Sequence, residues 1–162
     1  KELNWQELKG INCCQKTWEE APYGREKDFY GISNENKNAM TTDGTARIME
    51  EIIQNLIYRK SNINLKNCLF RDLNKDSFRK DPNNQIEGFL GEGLPENNII
   101  WSKAGLMSKV RHDAAWWINN NTSKTLLVVF TQGEEYANDK LFLPKLSNAI
   151  YKYNAENISD LP

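Results

Sequence analysis

The chain has 162 residues, with 21 Lys and Arg against 22 Asp and Glu, a formal net charge of -1. That length fits one domain, and so even a charge offers no long-range attraction to a polyanion or an acidic membrane surface. Apolar residues make up 39% of the chain, and no apolar run approaches the ~18 residues of a membrane span.

Residues 1–40 carry little periodicity. Trp5, Leu8 and Ile11 have helical spacing. Trp18 and Tyr23 lie beside Pro22 and Gly24 and read as loop. Residues 31–38 are polar and irregular. Cys13, Cys14 and Cys68 permit one bridge and leave one thiol over, and their spacing does not suit a four-ligand zinc site.

Thr41-Thr42-Asp43 opens a helix over about 43–59. Either threonine can cap the free amides, and Asp43 suits the first turn. Ala46, Met49, Ile52, Ile53, Leu56 and Ile57 repeat every three or four residues and require a buried face. Leu65, Leu69, Phe70 and Leu73 predict a second helix that Asn74 ends. Ile86, Phe89 and Leu90 form an apolar cluster before the Gly91–Gly93 turn. Strands follow at about 99–106, 113–118 and 125–131, with a hairpin turn at 119–123. The 125–131 run is the strongest strand and reads as central. A closing amphipathic helix spans 138–153.

The fold class is therefore α+β. One unit covers 1–162: helices and loops over 1–98, an antiparallel meander over 99–131, then the closing helix. Within the meander, Trp116 and Trp117 must face opposite sides of the sheet. One of them belongs to the core, and the other needs a helix or a partner to cover it.

Common chemical motifs are absent. There is no GxGxxG, no phosphate-binding loop and no Gly-x-Ser-x-Gly elbow. A single histidine excludes a histidine pair for a metal, and no cofactor is implied. The basic residues are scattered, which argues against nucleic acid. Chemistry concentrates in 101–117. Lys103 can offer positive charge to an anionic group. Ala104 and Gly105 are small enough for a ligand to approach the strand backbone. Arg111 across the turn can act as a second carboxylate clamp. His112 reads as a packed or edge histidine paired with Asp113. Lys103 and Arg111 read equally as ordinary strand-end charges.

Lys103-Ala104-Gly105, followed by Arg111-His112-Asp113, resembles the third conserved block of class A beta-lactamase-like serine hydrolases and penicillin-binding proteins. In that block a Lys-Thr/Ser-Gly strand edges the cleft. Asn38-Ala39-Met40-Thr41-Thr42 resembles the step into the helix after the omega loop. The last strand and helix match in order. The likeness runs from about residue 38 onward and is greatest to a diverged, cyanobacterial-like branch.

The resemblance implies a beta-lactamase/transpeptidase-like fold, with this chain as its C-terminal part. It implies that Lys103, Ala104, Gly105 and Arg111 bind the substrate, with His112 and Asp113 supporting them. It places the Ser-x-x-Lys nucleophile N-terminal to this region, so the chain is expected to lack it and to be an enzyme only with an upstream segment. Glu26 lies near the place of the omega-loop base, without the asparagine expected four residues on. Ala104 replaces a hydroxyl that would donate to the substrate carboxylate, a loss of ~1–3 kcal/mol in a desolvated site.

The implied partners are the N-terminal part of the same protein and a small anionic amide or peptide-like substrate, in a periplasmic or secreted setting. The alternative is a non-catalytic binding or structural module on the same scaffold. An unrelated α+β domain is the third reading.

Overall fold

A computed structural model describes residues 39–54, 65–119 and 123–158, with positions 28, 32 and 33. Helix α1 is Thr42–Ile53. Thr41 is its cap, extended at φ -105, and its Oγ1 accepts the Gly44 amide at 3.1 Å. Met49 and Ile53 are buried on one side. The buried Glu51 carboxylate is answered by Arg47 at 2.7 Å.

Helix α2 is Leu65–Leu69, shorter than the helix expected from Leu65 to Leu73. The chain then extends as β1, Phe70–Arg71, and turns through α3, Lys75–Phe78. A 3-10 turn, Leu90–Gly93, leads to β2, Ile99–Met107. Strands β3 (Val110–Ile118) and β4 (Lys124–Val129) follow, then helices α4 (Glu134–Asn138) and α5 (Phe142–Ile158). The closing helix expected over 138–153 is α5, which begins and ends four to five residues later, and the short α4 precedes it. Asp139 separates them, and its Oδ1 accepts the Leu141 and Phe142 amides.

The sheet is antiparallel in the order β1-β2-β3-β4. Among the described residues it has four strands where three were expected, because the two residues of β1 are too few to show an alternating pattern. Strand β4 lies at one end of the described sheet, not at its centre. Its continuous apolar run has another cause: helices cover both of its faces. Leu127 and Val129 join the main core, while the opposite face packs against α1.

Register assigns the two faces, since opposed residues share a side. Ile100 pairs with Trp117, Ser102 with Ala115 and Ala104 with Asp113. These face the core beside Leu90, Leu94 and Leu143. Trp101, Lys103 and Gly105 pair with Trp116, Ala114 and His112 and face the other way. Trp117 is therefore core, at 1% exposure, and Trp116 is half-buried on the α1 side. Helix α5 rests on the 3-10 turn. A Cβ at Gly93 would lie 2.0 Å from the Pro144 carbonyl oxygen, and Asn148 donates to the Gly93 carbonyl at 3.0 Å.

Candidate functional site

Strand β1 pairs with β2 only at Ile100 and Trp101. Beyond that point side chains take the outward main-chain groups of β2. Arg71 Nη2 donates to the Ser102 carbonyl at 2.8 Å. The Ala104 amide donates to Gln85 Oε1 at 3.2 Å, and Lys103 Nζ donates to the Ala104 carbonyl. Outward groups recur every second residue in an antiparallel ladder, so the next outward amide and carbonyl belong to Leu106. On the other side of the hairpin, the Arg111 amide and carbonyl both bond Thr131 Oγ1. This matches the same parity.

Beside this edge lies a cleft of about 460 Å³ between α1 and the sheet. Ile48, Met49, Ile52, Leu69 and Phe130 make its walls apolar, and Lys103, Gly105 and His112 also line it. A Cβ at Gly105 would meet only His112 Cβ, at an ordinary 3.7 Å. Packing therefore does not demand glycine there, and the missing side chain leaves the strand face open.

Lys103 is exposed. Partial desolvation and the Arg71 cation lower its pKa, and the Asp113 carboxylate opposes them. Ala104 offers its main chain to the edge, while its methyl is buried in the core.

Asp113 is fully buried opposite Ala104. Its Oδ2 accepts the Leu90 amide at 3.0 Å, and its Oδ1 has no hydrogen-bond partner. Burial pushes its carboxyl up to about 7, against the pull of the Leu90 and Ala114 amides and the Arg71 and Lys103 charges.

The structure does not place Arg111 at the cleft. Its guanidinium is buried on the core face, with Nε and Nη2 donating to the Ala137 carbonyl at 3.1 and 2.9 Å. Nη1 donates to the Gly88 carbonyl at 3.2 Å. Desolvation lowers its pKa, partly offset by Asp139. This arginine ties α4 and the 3-10 region to β3, and the geometry does not support a clamp.

His112 does not pair with Asp113 either, because adjacent strand residues point to opposite faces. Its Nδ1 accepts the Thr131 amide at 3.0 Å, and its ring lies 4.7 Å from Phe130. Desolvation lowers its pKa, opposed by a backbone bond.

Glu26, Cys13 and Cys14 lie outside the described residues, and Cys68 is an exposed free thiol. Contrary to expectation, one Ser-x-x-Lys spacing does occur, Ser77-Phe78-Arg79-Lys80. Ser77 sits in the four-residue α3 with its amide on Asn74 Oδ1, and Lys80 lies just beyond. Both are exposed, and neither lines the cleft beside Lys103.

Arg71 and Gln85 had no signal in the sequence. The pairing of β1 brings Arg71 to the edge, and Gln85, from the segment after α3, joins it by accepting from Arg71 Nη2 and the Ala104 amide. Among the described residues no three His, Cys, Asp or Glu side chains cluster as metal ligands, and no helix is long and apolar enough to cross a membrane.

A family model described as the beta-lactamase enzyme family matches residues 8–154. No curated protein matches the chain. Among solved structures, one described as PBP-A aligns with a TM-score of 0.55 at 18% identity, covering 75% of this chain and 42% of that one. A variant of the last common ancestor of Gram-negative class A beta-lactamases aligns with a TM-score of 0.50 at 17% identity. It covers 68% of this chain and 39% of its own. The chain thus spans about two fifths of the length of these structures.

Proposed function

The chain belongs to the beta-lactamase enzyme family, and on that premise we propose that it supplies the substrate-binding edge of a serine hydrolase of the beta-lactamase or transpeptidase type. The supporting observation is the edge of β2 beyond Trp101, which no strand pairs among the described residues: Lys103 and Gly105 line an apolar cleft beside it, and the outward main chain of Leu106 follows the positions that Arg71, Gln85 and Lys103 occupy. An extended amide or peptide-like substrate can add to such an edge through main-chain bonds. The Lys103 ammonium then meets its carboxylate. In acyl transfer a main-chain amide aimed at the developing oxyanion lowers the barrier, and the Leu106 amide is the donor this edge offers.

The nucleophile in this reading comes from outside the described site, because Ser77 and Lys80 sit apart from the cleft. That same separation favours a second reading, a module that binds a peptide or cell-wall fragment without acylation. Work in the periplasm or outside the cell belongs to this proposal.

The test is acylation of the full protein by a fluorescent penicillin. The hydrolase reading expects a covalent adduct whose formation slows about tenfold or more in Lys103→Ala, for loss of one charge-assisted contact. Saturable binding without an adduct selects the module. No binding at all, in a folded protein, refutes both.

A further inference from the structure

The buried layer behind the β2 edge holds three polar atoms without partners: Asp113 Oδ1, Ser102 Oγ and Arg71 Nε. Asp113 and Ser102 are diagonal neighbours on the core face. Such exceptions are few in a folded protein and call for an explanation. Arg71 reaches this layer from β1 while bonding the Ser102 carbonyl and Gln85.

We propose that Asp113 is a positioning residue for the Lys103 edge, setting from the core side the net charge that Lys103 and Arg71 present to an anion, so that anion binding and protonation of Asp113 favour each other. This rests on the anion-binding reading above.

The charge balance is direct. With Asp113 ionised, Lys103, Arg71 and Asp113 sum to one positive charge; with Asp113 neutral they sum to two. The carboxyl lies where both states are reachable, because burial opposes ionisation while two cations and the Leu90 and Ala114 amides favour it. Ser102 Oγ on the same face also has no partner, and a hydroxyl, being donor and acceptor, can serve the carboxylate or the neutral acid.

Few other groups compete. Arg111, two residues away on β3, is held by the Ala137 and Gly88 carbonyls. In the 3-10 turn, Glu92 accepts the Gly88 amide. From β4 the opposed residue is Val129, and from α5 the ionisable group packed on this core is Tyr151. His112 lies on the opposite face of the sheet. By linkage, whatever the proton does to anion affinity, the anion does to the proton.

The test is a carbon NMR titration of the Asp113 carboxyl in the full protein, with sulfate as the probe because it does not titrate near neutrality. The midpoint is expected near neutral pH, to rise by roughly one unit in Lys103→Met, and to rise with saturating sulfate in the wild type only. A midpoint that ignores Lys103→Met overturns the proposal. A response to Lys103→Met with none to sulfate upholds the coupling and refutes the anion-binding reading. Asp113→Asn should remove the pH dependence of sulfate affinity, while His112→Gln should keep it; the reverse pattern assigns the effect to His112 and overturns the proposal. If Asp113→Asn does not fold, the Lys103→Met and sulfate titrations decide alone.

Discussion

Replacing Asp113 by asparagine should change how stability depends on pH. In the wild type the carboxyl moves from an ordinary value of 3.8 to about 7 on folding. The folded chain therefore holds its proton more tightly than the unfolded chain does. The corresponding stability is fully present below about pH 3.8 and is lost as pH rises through 7. The gap corresponds to about 4 kcal/mol, at 1.36 kcal/mol per pH unit.

Asparagine cannot ionise, so the variant loses none of this. Its carbonyl oxygen can still accept the Leu90 amide, while its NH₂ group adds donors that cost about 1–3 kcal/mol if unmet. The variant is thus expected to gain on the wild type steadily from pH 4 to 7, and then to hold a constant offset. Urea unfolding at fixed ionic strength, followed by tryptophan fluorescence from pH 4 to 9, reads the difference curve. Trp117 in the core makes that signal sensitive to global unfolding. A flat difference curve, or one with the opposite slope, would refute the account of Asp113 as a buried group forced to ionise.

Ala104→Ser places a hydroxyl directly opposite Asp113, where Oδ1 lacks a donor; the Asp113 midpoint should fall, read by carbon NMR, because a donor favours the carboxylate. Arg111→Met should cost about 3 kcal/mol by removing the bonds to Ala137 and Gly88. Hydrogen exchange should then rise in α4, while sulfate binding at Lys103 stays unchanged. Gly93→Ala should lose about 1–3 kcal/mol by overpacking against Pro144, seen as a lowered unfolding midpoint with the β2 edge intact.

The helix that opens at Thr41 was legible because its cap and its periodic apolar face are local features. Strands β2, β3 and β4 were legible for the same reason, and so was the Lys103-Ala104-Gly105 block. Even the separation of Trp116 from Trp117 follows from alternation alone. The chemistry of the site was less legible. Arg111 read as a clamp because sequence shows a charge near a strand start, not the carbonyls of Gly88 and Ala137 that receive it. His112 and Asp113 read as a pair because they are adjacent, yet adjacency in a strand separates side chains. Strand β4 read as central because an apolar run records burial, not position in the sheet.

The sequence by itself determined α1, the three long strands and the closing helix, since capping and hydrophobic period act over a few residues. The tertiary structure alone decided what surrounds Lys103. Arg71 reaches the edge through a two-residue strand that has no period to detect, and Gln85 comes from the irregular segment after α3. Asp113 comes to lie behind Ala104 through register, a contact between residues nine positions apart that no local pattern encodes.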